Sequence, residues 1–213
     1  MTEEQKKFLD IKQYKDYKSI GLDVDYAVIV DKEKQEVILQ FKQSDSRIDW
    51  LNNFLFIPWP LKLAGKTVWT TLGYARAYKS TEGKPLEEFI IECCINYDYK
   101  RTIRGWSFGS AMAKIAGRHF VTSQKHYSVK LDELTTYGDV KCWLNPFCKY
   151  TKKIKRVREY TTPNDIVTWC VPFFHRDRAN RVGPALKLKE LFKSEQYHTH
   201  YEQYDYTEWE EAK

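Results

Sequence analysis

The sequence predicts an α/β fold in which a central, mostly parallel β-sheet is flanked by helices. Over residues 100–116 a strand-like run, a sharp turn and a helix-like run follow one another, with small and apolar residues at helical spacing after the turn. Two strand-like runs, 25–30 and 36–41, are joined by a polar turn and predict a hairpin. A last strand-like run, 157–160, leads into a turn that carries an aspartate. Functional residues of α/β sheets are typically found beyond the carboxyl ends of strands.

The turn within residues 100–116 contains one G-x-S-x-G, formed by Gly105, Ser107 and Gly109. Glycines at these two positions leave room for a sharp strand-to-helix turn that presents a nucleophilic serine. Ser107 would then lie at a helix N-terminus, whose backbone N–H groups favour developing negative charge. The alternative is a glycine-flanked turn whose serine faces solvent. The strand before the turn and the helix pattern after it favour the nucleophile.

Residues 1–23 predict an N-terminal amphipathic helix, and residues 24–213 predict one compact domain, since 213 residues are enough to bury a single core. A helix is predicted over 86–96, before the strand that enters the turn. After the turn's helix, Tyr127–Leu131 predicts a strand, followed by Leu134-Thr135-Thr136-Tyr137-Gly138.

Residues 54–61 form a strongly apolar run in which Pro58 and Pro60 forbid a regular helix or an inner strand. Soluble proteins seldom expose such a run to water. One interpretation is an irregular connection packed into the core. The other is a cover over an apolar cleft, a lid-like segment over residues 52–66 whose substrate-binding side chains are Phe54, Phe56, Ile57 and Trp59.

Three segments together carry a family resemblance. Phe41, Lys42, Ser44, Asp49 and Trp50 follow the predicted hairpin, the G-x-S-x-G comes next, and Asn164-Asp165-Ile166-Val167 follows the last long strand. In this order they resemble the class 3 (fungal-type) lipase family of the α/β-hydrolase superfamily. The resemblance covers roughly residues 24–201 and implies an α/β-hydrolase fold. Leu134-Thr135-Thr136-Tyr137-Gly138 resembles the family's strand that ends in T-[FY]-G. Gln43 and Asp139 depart from the family pattern, and so do Trp106 and Ser110.

The resemblance implies a catalytic triad of Ser107, Asp165 and His198, in the chain order Ser, Asp, His. His198 and Tyr201 match the H-x-x-Y of the family, while His200 is an alternative base. The resemblance also implies an oxyanion hole formed by Ser44 and the backbone N–H of Phe108. Two plain alternatives remain, since Ser44 and Asp165 are both residue types that cap turns.

Three other histidines fit the triad less well. His119 lies about three turns along the helix that follows Ser107, which is too far for contact. His126 precedes Asp165, against the family order, and His175 follows Asp165 too closely in sequence to cross back to the serine.

The implied activity is hydrolysis of a lipid ester, either an acylglycerol or a phospholipid, through an acyl-enzyme, with no metal and no cofactor. High aromatic content (15%) and a net charge of +6 leave a second hypothesis: a catalytically degenerate hydrolase fold, or a basic aromatic-rich protein that binds an anionic partner. The basic run 149–158 is either a solvated helix face or a contact for an anionic membrane or lipid interface. We expect no nucleic-acid partner, because no nucleic-acid-binding motif is present.

Five cysteines, odd in number and without C-x-x-C, indicate reduced structural thiols and not a zinc site. Residues 1–20 contain no apolar run of the length of a signal peptide or a transmembrane segment. The sequence therefore predicts a cytoplasmic protein, and the family resemblance implies a role in lipid metabolism.

Overall fold

The computed structural model of the protein describes residues 1–43, 55–124, 129–145, 149–162, 165–169, 171, 173–177, 180–181, 198–204 and 206. Its strands are β1 (Lys18–Ile20), β2 (Val24–Asp31), β3 (Glu36–Phe41), β4 (Pro58–Leu63), β5 (Lys66–Thr71), β6 (Lys100–Trp106), β7 (Glu133–Tyr137), β8 (Arg156–Thr161) and β9 (Asn180–Arg181). Its α-helices are α1 (Glu3–Gln13), α2 (Leu72–Ser80), α3 (Lys84–Ile95) and α4 (Phe108–Ser123).

The main sheet has the strand order β1-β2-β3-β6-β7-β8-β9 in the described part of the chain. The first three strands pair antiparallel, and every pairing from β3 to β9 is parallel. Trp106 pairs with Tyr137, and Tyr137 with Tyr160, so β6, β7 and β8 end at the same edge of the sheet. The predicted α/β fold with a central, mostly parallel sheet is confirmed.

The N-terminal helix is shorter than the predicted helix over residues 1–23. It begins with a capping box, in which the Thr2 side chain accepts from the Gln5 backbone N–H and the Gln5 side chain accepts from Thr2. It ends at Gln13 because Tyr14 adopts extended backbone angles (φ −60°, ψ 129°). The chain then turns back, and Lys18–Ile20 pairs with β2 as an edge strand.

The apolar run with two prolines forms one strand of a two-stranded antiparallel hairpin, β4–β5, outside the main sheet. Proline is compatible with such an edge position because no inner ladder needs its missing N–H. Leu61 and Leu63 are buried in the core, whereas Pro58, Trp59 and Pro60 are exposed. Part of the run is therefore a fixed core contact, and part of it is exposed to solvent.

The strand predicted over Tyr127–Leu131 is wrong in the described residues 129–131, which form no strand. The strand in this region is β7, Glu133–Tyr137, which agrees with the resemblance of Leu134–Gly138 to a family strand and pairs on both sides with parallel neighbours. All five residues of β7 are buried, whereas Lys130 is exposed. Burial and pairing within the sheet, and not local strand propensity, therefore determine where this strand begins.

The sheet separates two apolar clusters. Helices α2, α3 and α4 pack against Leu39, Ile103 and Leu134 on one face. Helix α1 covers part of the other face, where Phe8 contacts the rings of Trp106 and Tyr137 at centroid distances of 5.0 and 5.3 Å. Successive side chains of a strand point to opposite faces of the sheet. Ile103 and Trp106, three positions apart on β6, therefore belong to different clusters, and so do Leu134 and Tyr137 on β7. In the described residues no helix is both long and apolar enough to cross a membrane.

Candidate active site

Ser107 lies on the sharp turn between β6 and α4, as the G-x-S-x-G predicts. Its backbone has φ 56° and ψ −121°, a left-handed conformation that is strained for a residue with a side chain. The two glycines make the turn possible. A Cβ on Gly105 would lie 2.1 Å from the Gly109 carbonyl oxygen, and one on Gly109 would lie 2.4 Å from the Lys42 carbonyl oxygen. Any larger residue at either position would displace backbone.

The backbone around Ser107 is held by hydrogen bonds from both sides of the turn. Its N–H donates to the Tyr137 carbonyl (2.9 Å), which ties the turn to the end of β7, and its own carbonyl accepts from the Ser110 N–H (2.8 Å). Phe108 is the first residue of α4 and is buried. Its backbone N–H therefore belongs to the helix N-terminus, where intrahelical acceptors are lacking.

The structure brings Ser107, His198 and Asp165 together, although 91 residues separate the first two in the chain. His198 Nε2 lies 2.7 Å from Ser107 Oγ, and His198 Nδ1 lies 2.7 Å from Asp165 Oδ2. Ser107 and His198 are each 7% exposed and Asp165 is fully buried. The imidazole can therefore exchange a proton with the serine on one side while the carboxylate fixes its tautomer on the other.

Asp165 lies after β8, at the sheet edge where Ser107 follows β6. Its Oδ1 accepts from the Val167 N–H (3.1 Å), and its Oδ2 accepts from the Tyr201 hydroxyl (2.9 Å) as well as facing His198. Burial, together with the negative charge of Asp165, raises the pKa of Tyr201 well above its ordinary value. The phenol therefore stays protonated and donates to the carboxylate across the working pH range.

The imidazole of His198 is packed against the ends of two strands. Trp106 Nε1 donates to the His198 carbonyl (3.2 Å), which fixes the backbone of the histidine. Gly138, directly after β7, has φ +54° and lies so close that a Cβ there would be 3.0 Å from His198 Cε1. The sheet register explains why both residues reach His198. Trp106, the last residue of β6, pairs with Tyr137, the last residue of β7, and Gly138 comes directly after it.

The alternative base, His200, faces another partner. Its Nδ1 lies 2.8 Å from Glu202 Oε1, and the imidazole between Ser107 and Asp165 is that of His198. His119 contacts the Tyr78 hydroxyl through Nδ1 (2.9 Å), and burial lowers its pKa. The backbone of His175 pairs with Trp143.

The residues predicted for the oxyanion hole and the lid are only partly described. Ser44 and Phe54 lie outside the described residues. Phe56 is half-buried, whereas Ile57 and Trp59 are 56% and 42% exposed. The Ile57 carbonyl accepts from the Leu72 N–H (2.7 Å) at the start of α2.

Sequence reasoning missed the hydrogen bond from Tyr201 to the acid and the contact of Gly138 with the imidazole. Tyr201 carried a signal, because it occupies the fourth position of H-x-x-Y, although a motif match assigns no hydrogen bond. Gly138 carried a weaker one, a glycine directly after a strand. Among the described residues no group of three or more His, Cys, Asp or Glu side chains could hold a metal ion.

A parallel sheet, a serine on a strained strand-to-helix turn and a hydrogen-bonded Ser-His-Asp chain define the α/β-hydrolase class. A family model for the class 3 lipases matches residues 38–175, well over half of the 213-residue chain. The chain therefore belongs to the class 3 lipase family.

Comparison with solved structures gives the same fold. The chain is similar to a fungal lipase in an inhibitor complex (TM-score 0.67, 18% identity, 82% of this chain and 66% of that one). It is similar to the triacylglyceride lipase of Rhizomucor miehei (TM-score 0.65, 18% identity, 81% and 66%). It is also similar to a triacylglycerol lipase from Penicillium expansum (TM-score 0.62, 16% identity, 77% and 66%). The chain thus spans slightly less than two thirds of each of these three proteins. A comparison with curated proteins gave no match.

Proposed function

We propose that the chain is a serine esterase that hydrolyses the carboxylic ester of a lipid through Ser107, His198 and Asp165. The observation that carries this proposal is the continuous hydrogen-bonded chain from Ser107 Oγ through both nitrogens of His198 to Asp165 Oδ2, with 2.7 Å at each contact. A serine hydroxyl becomes a useful nucleophile only when a base within hydrogen-bond reach takes its proton.

Acylation follows from this geometry. Ser107 Oγ attacks the ester carbonyl carbon as its proton passes to His198 Nε2, and the carbonyl oxygen becomes an oxyanion. Asp165 stabilises the imidazolium through Nδ1. His198 then gives the proton to the leaving alcohol, and the C–O bond of the ester breaks, which leaves an acyl group on Ser107.

The developing oxyanion needs hydrogen-bond donors in the same place. The Phe108 N–H, at the start of α4, is one candidate donor, and Ser44 remains the predicted second. One such donor typically contributes about 10²–10³ in turnover. Water, deprotonated by His198, then attacks the acyl-enzyme and releases the acid, which restores the serine.

A lipid substrate is supported by exposed apolar side chains around the site. Ile57 and Trp59 are exposed on and next to β4, and Ile166 and Trp169 are exposed on the short turn that follows Asp165. Water contact is unfavourable for such surface, and a lipid phase relieves it.

We extend the proposal to a cover over the site formed by residues 52–66. Its described part is tied to α2, since Leu55 and Ile57 accept from Gly73 and Leu72, and α2 meets the site through the Tyr74 ring, 5.9 Å from that of Phe108. Replacing Phe56 and Trp59 with serine is expected to lower activity on emulsified lipid far more than activity on a short soluble ester. The matched control is Ile91→Ser, an exposed apolar residue on α3. Equal losses on both substrates, with a sharply lower Tm, would instead indicate a fixed core connection.

An anionic lipid interface is supported by a groove of about 580 Å³ between β5, the end of α4 and the turn at residues 149–153. Its cations are Lys66, Arg118, Lys149 and Lys153, and none of its described lining residues is a carboxylate. Replacing Lys149 and Lys153 with glutamine is expected to weaken binding to vesicles that contain phosphatidylglycerol, and to leave binding to neutral phosphatidylcholine vesicles unchanged. Replacement of exposed Lys32 and Lys34 provides the control. Equal weakening in both pairs would mean that only net charge matters.

The central test is labelling by a fluorophosphonate probe together with ester turnover. The wild-type protein is expected to be labelled at Ser107, and Ser107→Ala is expected to lose labelling and about 10⁵-fold in turnover. Asp165→Asn is expected to cost about 10⁴-fold, because the imidazole loses its orienting partner. Ser19→Ala, on the edge strand β1, controls for handling. Ordinary turnover by Ser107→Ala would refute the assignment, and an unlabelled wild-type protein would indicate a degenerate fold.

A further inference from the structure

A cluster of buried charges lies beneath the candidate active site, on the α4 side of the sheet. Lys114 of α4, Asp139 after β7 and Glu159 of β8 are all fully buried. Lys114 Nζ lies 3.0 Å from Asp139 Oδ1 and 4.0 Å from Glu159 Oε1, and it also donates to the Val140 carbonyl (2.5 Å). Burial alone would lower the pKa of Lys114, but the charges of Asp139 and Glu159 outweigh it and raise that pKa, so the lysine is charged.

Asp139 is the member of this cluster with the most contacts. Besides Lys114, its carboxylate accepts from the Thr136 hydroxyl (2.8 Å) and lies 3.5 Å from Arg176 Nε. Its backbone N–H donates to the Tyr160 carbonyl (3.1 Å). Every one of these bonds fixes the residue directly after Gly138, and Gly138 is the backbone against which the His198 imidazole packs.

A second line of contacts runs from Asp139 to the other side of the site. Arg176 Nε donates to the Asp139 carbonyl (3.0 Å), and Arg176 Nη2 donates to the Thr168 carbonyl. The Thr168 hydroxyl in turn donates to the Asp165 carbonyl (2.8 Å). Asp139 is thus linked through Arg176 and Thr168 to the backbone of the residue that faces His198 Nδ1.

We infer that Asp139, held by Lys114 and Arg176, is a positioning residue that sets the Gly138 turn and the Asp165 turn relative to the His198 imidazole. This inference rests on the proposed function.

Stability alone does not account for the cluster. A buried ion pair often contributes no more to folding than apolar side chains of the same volume, because both charges lose their hydration. The hydrogen bonds of the charged cluster are directional, and they fix the backbone at Gly138 and at Asp165, on either side of His198. Apolar packing alone would leave these backbone segments free to shift. A reacting group displaced by about 1 Å can lose about 10² in rate.

The test compares Asp139→Asn with Glu133→Gln, in a temperature range where both are folded. Glu133 lies at the other end of β7, is equally buried, and is paired with Lys7 and Lys100 (2.9 and 2.7 Å), so its loss destabilises the fold away from the site. On a short soluble ester we expect Asp139→Asn to lower kcat by about 30-fold or more with KM little changed. Glu133→Gln should keep the wild-type kcat. Equal kcat values for the two variants would overturn the inference.

A triple variant, Lys114→Met with Asp139→Asn and Glu159→Gln, separates positioning from folding if the single variant is unstable. Removing all three charges of the cluster leaves no buried carboxylate facing a missing lysine, so it is expected to recover most of the lost thermal stability while kcat stays low. Recovery of stability and kcat together would overturn the inference. A second readout is the low-field proton resonance of His198 Nδ1–H, which should move or broaden in both variants and not in Glu133→Gln. A wild-type protein without esterase activity would refute the proposed function instead, and the resonance would still test the positioning.

Discussion

Replacing Gly138 with alanine should disable the site by moving His198. Gly138 has φ +54°, and a Cβ built there lies 3.0 Å from His198 Cε1, 3.2 Å from His198 Nδ1 and 3.4 Å from Trp106 Cδ1. Carbon atoms in contact are normally 3.5–4.0 Å apart. The imidazole must therefore move by a few tenths of an ångström, which disturbs its 2.7 Å contact with Ser107.

The size of the effect follows from two separate costs. Left-handed backbone costs an alanine about 1–2 kcal/mol, and the crowded contact adds about 1–2 kcal/mol of overpacking. A total of about 2–4 kcal/mol corresponds to a Tm lower by about 5–15 °C for a chain of this size. The displaced base should lower kcat by about 10-fold, since a full displacement of about 1 Å would cost about 10².

Two glycine controls separate these causes. Gly83→Ala carries the same backbone strain (φ +80°) with no atom within 4 Å, so it should lower Tm without changing kcat. Gly117 lies inside α4, and a Cβ there would come no closer than 3.5 Å to Leu134. Gly117→Ala should therefore keep both Tm and kcat near the wild-type values, or raise Tm slightly. The measurement is kcat on a soluble ester below every Tm, beside a thermal melt. If Gly138→Ala lost only as much activity as Gly83→Ala, the proposed contact with His198 would be irrelevant to catalysis.

Three further predictions concern other parts of the molecule. Burial would raise the pKa of Glu133, but the charges of Lys7 and Lys100 outweigh burial and lower that pKa to about 2. Glu133 therefore stabilises the fold fully at pH values above its ordinary pKa of 4.5. This stabilisation is lost as the pH falls towards 2. Urea unfolding should accordingly show Glu133→Gln about 2 kcal/mol less stable than wild type at pH 7, after allowance for the exposure of Lys100, with a smaller difference at pH 3. Iodoacetamide should label exposed Cys94 and spare buried Cys93, whose pKa burial raises to about 12, and peptide mapping that found both labelled would contradict the packing of α3. His200→Ala should keep turnover within about 3-fold of wild type while His198→Ala approaches Ser107→Ala, and the reverse order would exchange their roles.

The sheet was predictable where a strand carries its own local pattern. β2 and β3 are continuous apolar runs with a polar turn between them, and the glycines around Ser107 fix a strand-to-helix turn by steric necessity alone. β7 was indicated only by the resemblance of Leu134–Gly138 to a family strand, since local propensity favoured Tyr127–Leu131. Its pairing partners lie 31 residues earlier (Thr102 with Glu133) and 23 residues later (Arg156 with Glu133). The end of α1 was missed because apolar residues continue past Gln13, and they serve contacts other than helix packing. Tyr17, for example, donates to the Ile11 carbonyl (2.7 Å).

The candidate site was predictable to the level of residue types and chain order. A serine on its turn, an aspartate after a strand and a histidine near the end of the sequence are one-dimensional features, and they carried the family resemblance. The supporting contacts are three-dimensional. In the sequence alone, Asp139 is a departure from the family pattern. Its structural role depends on its ion pair with Lys114, which is 25 residues away in the chain and buried on another element.

The position of His198 depends on the first residues of the chain as much as on its neighbours. Among the described residues of this stretch, 198–199 are helical and Tyr201–Gln203 forms a short 3-10 turn. Helix α1 contacts this stretch, since Lys12 Nζ donates to the Thr199 carbonyl (2.9 Å) and Gln5 Nε2 donates to the Tyr204 carbonyl (2.8 Å). Catalytic groups must be held within about 0.5 Å of their productive geometry. These two bonds fix the chain just after the candidate base, and the N-terminal helix therefore acts as a structural support for His198.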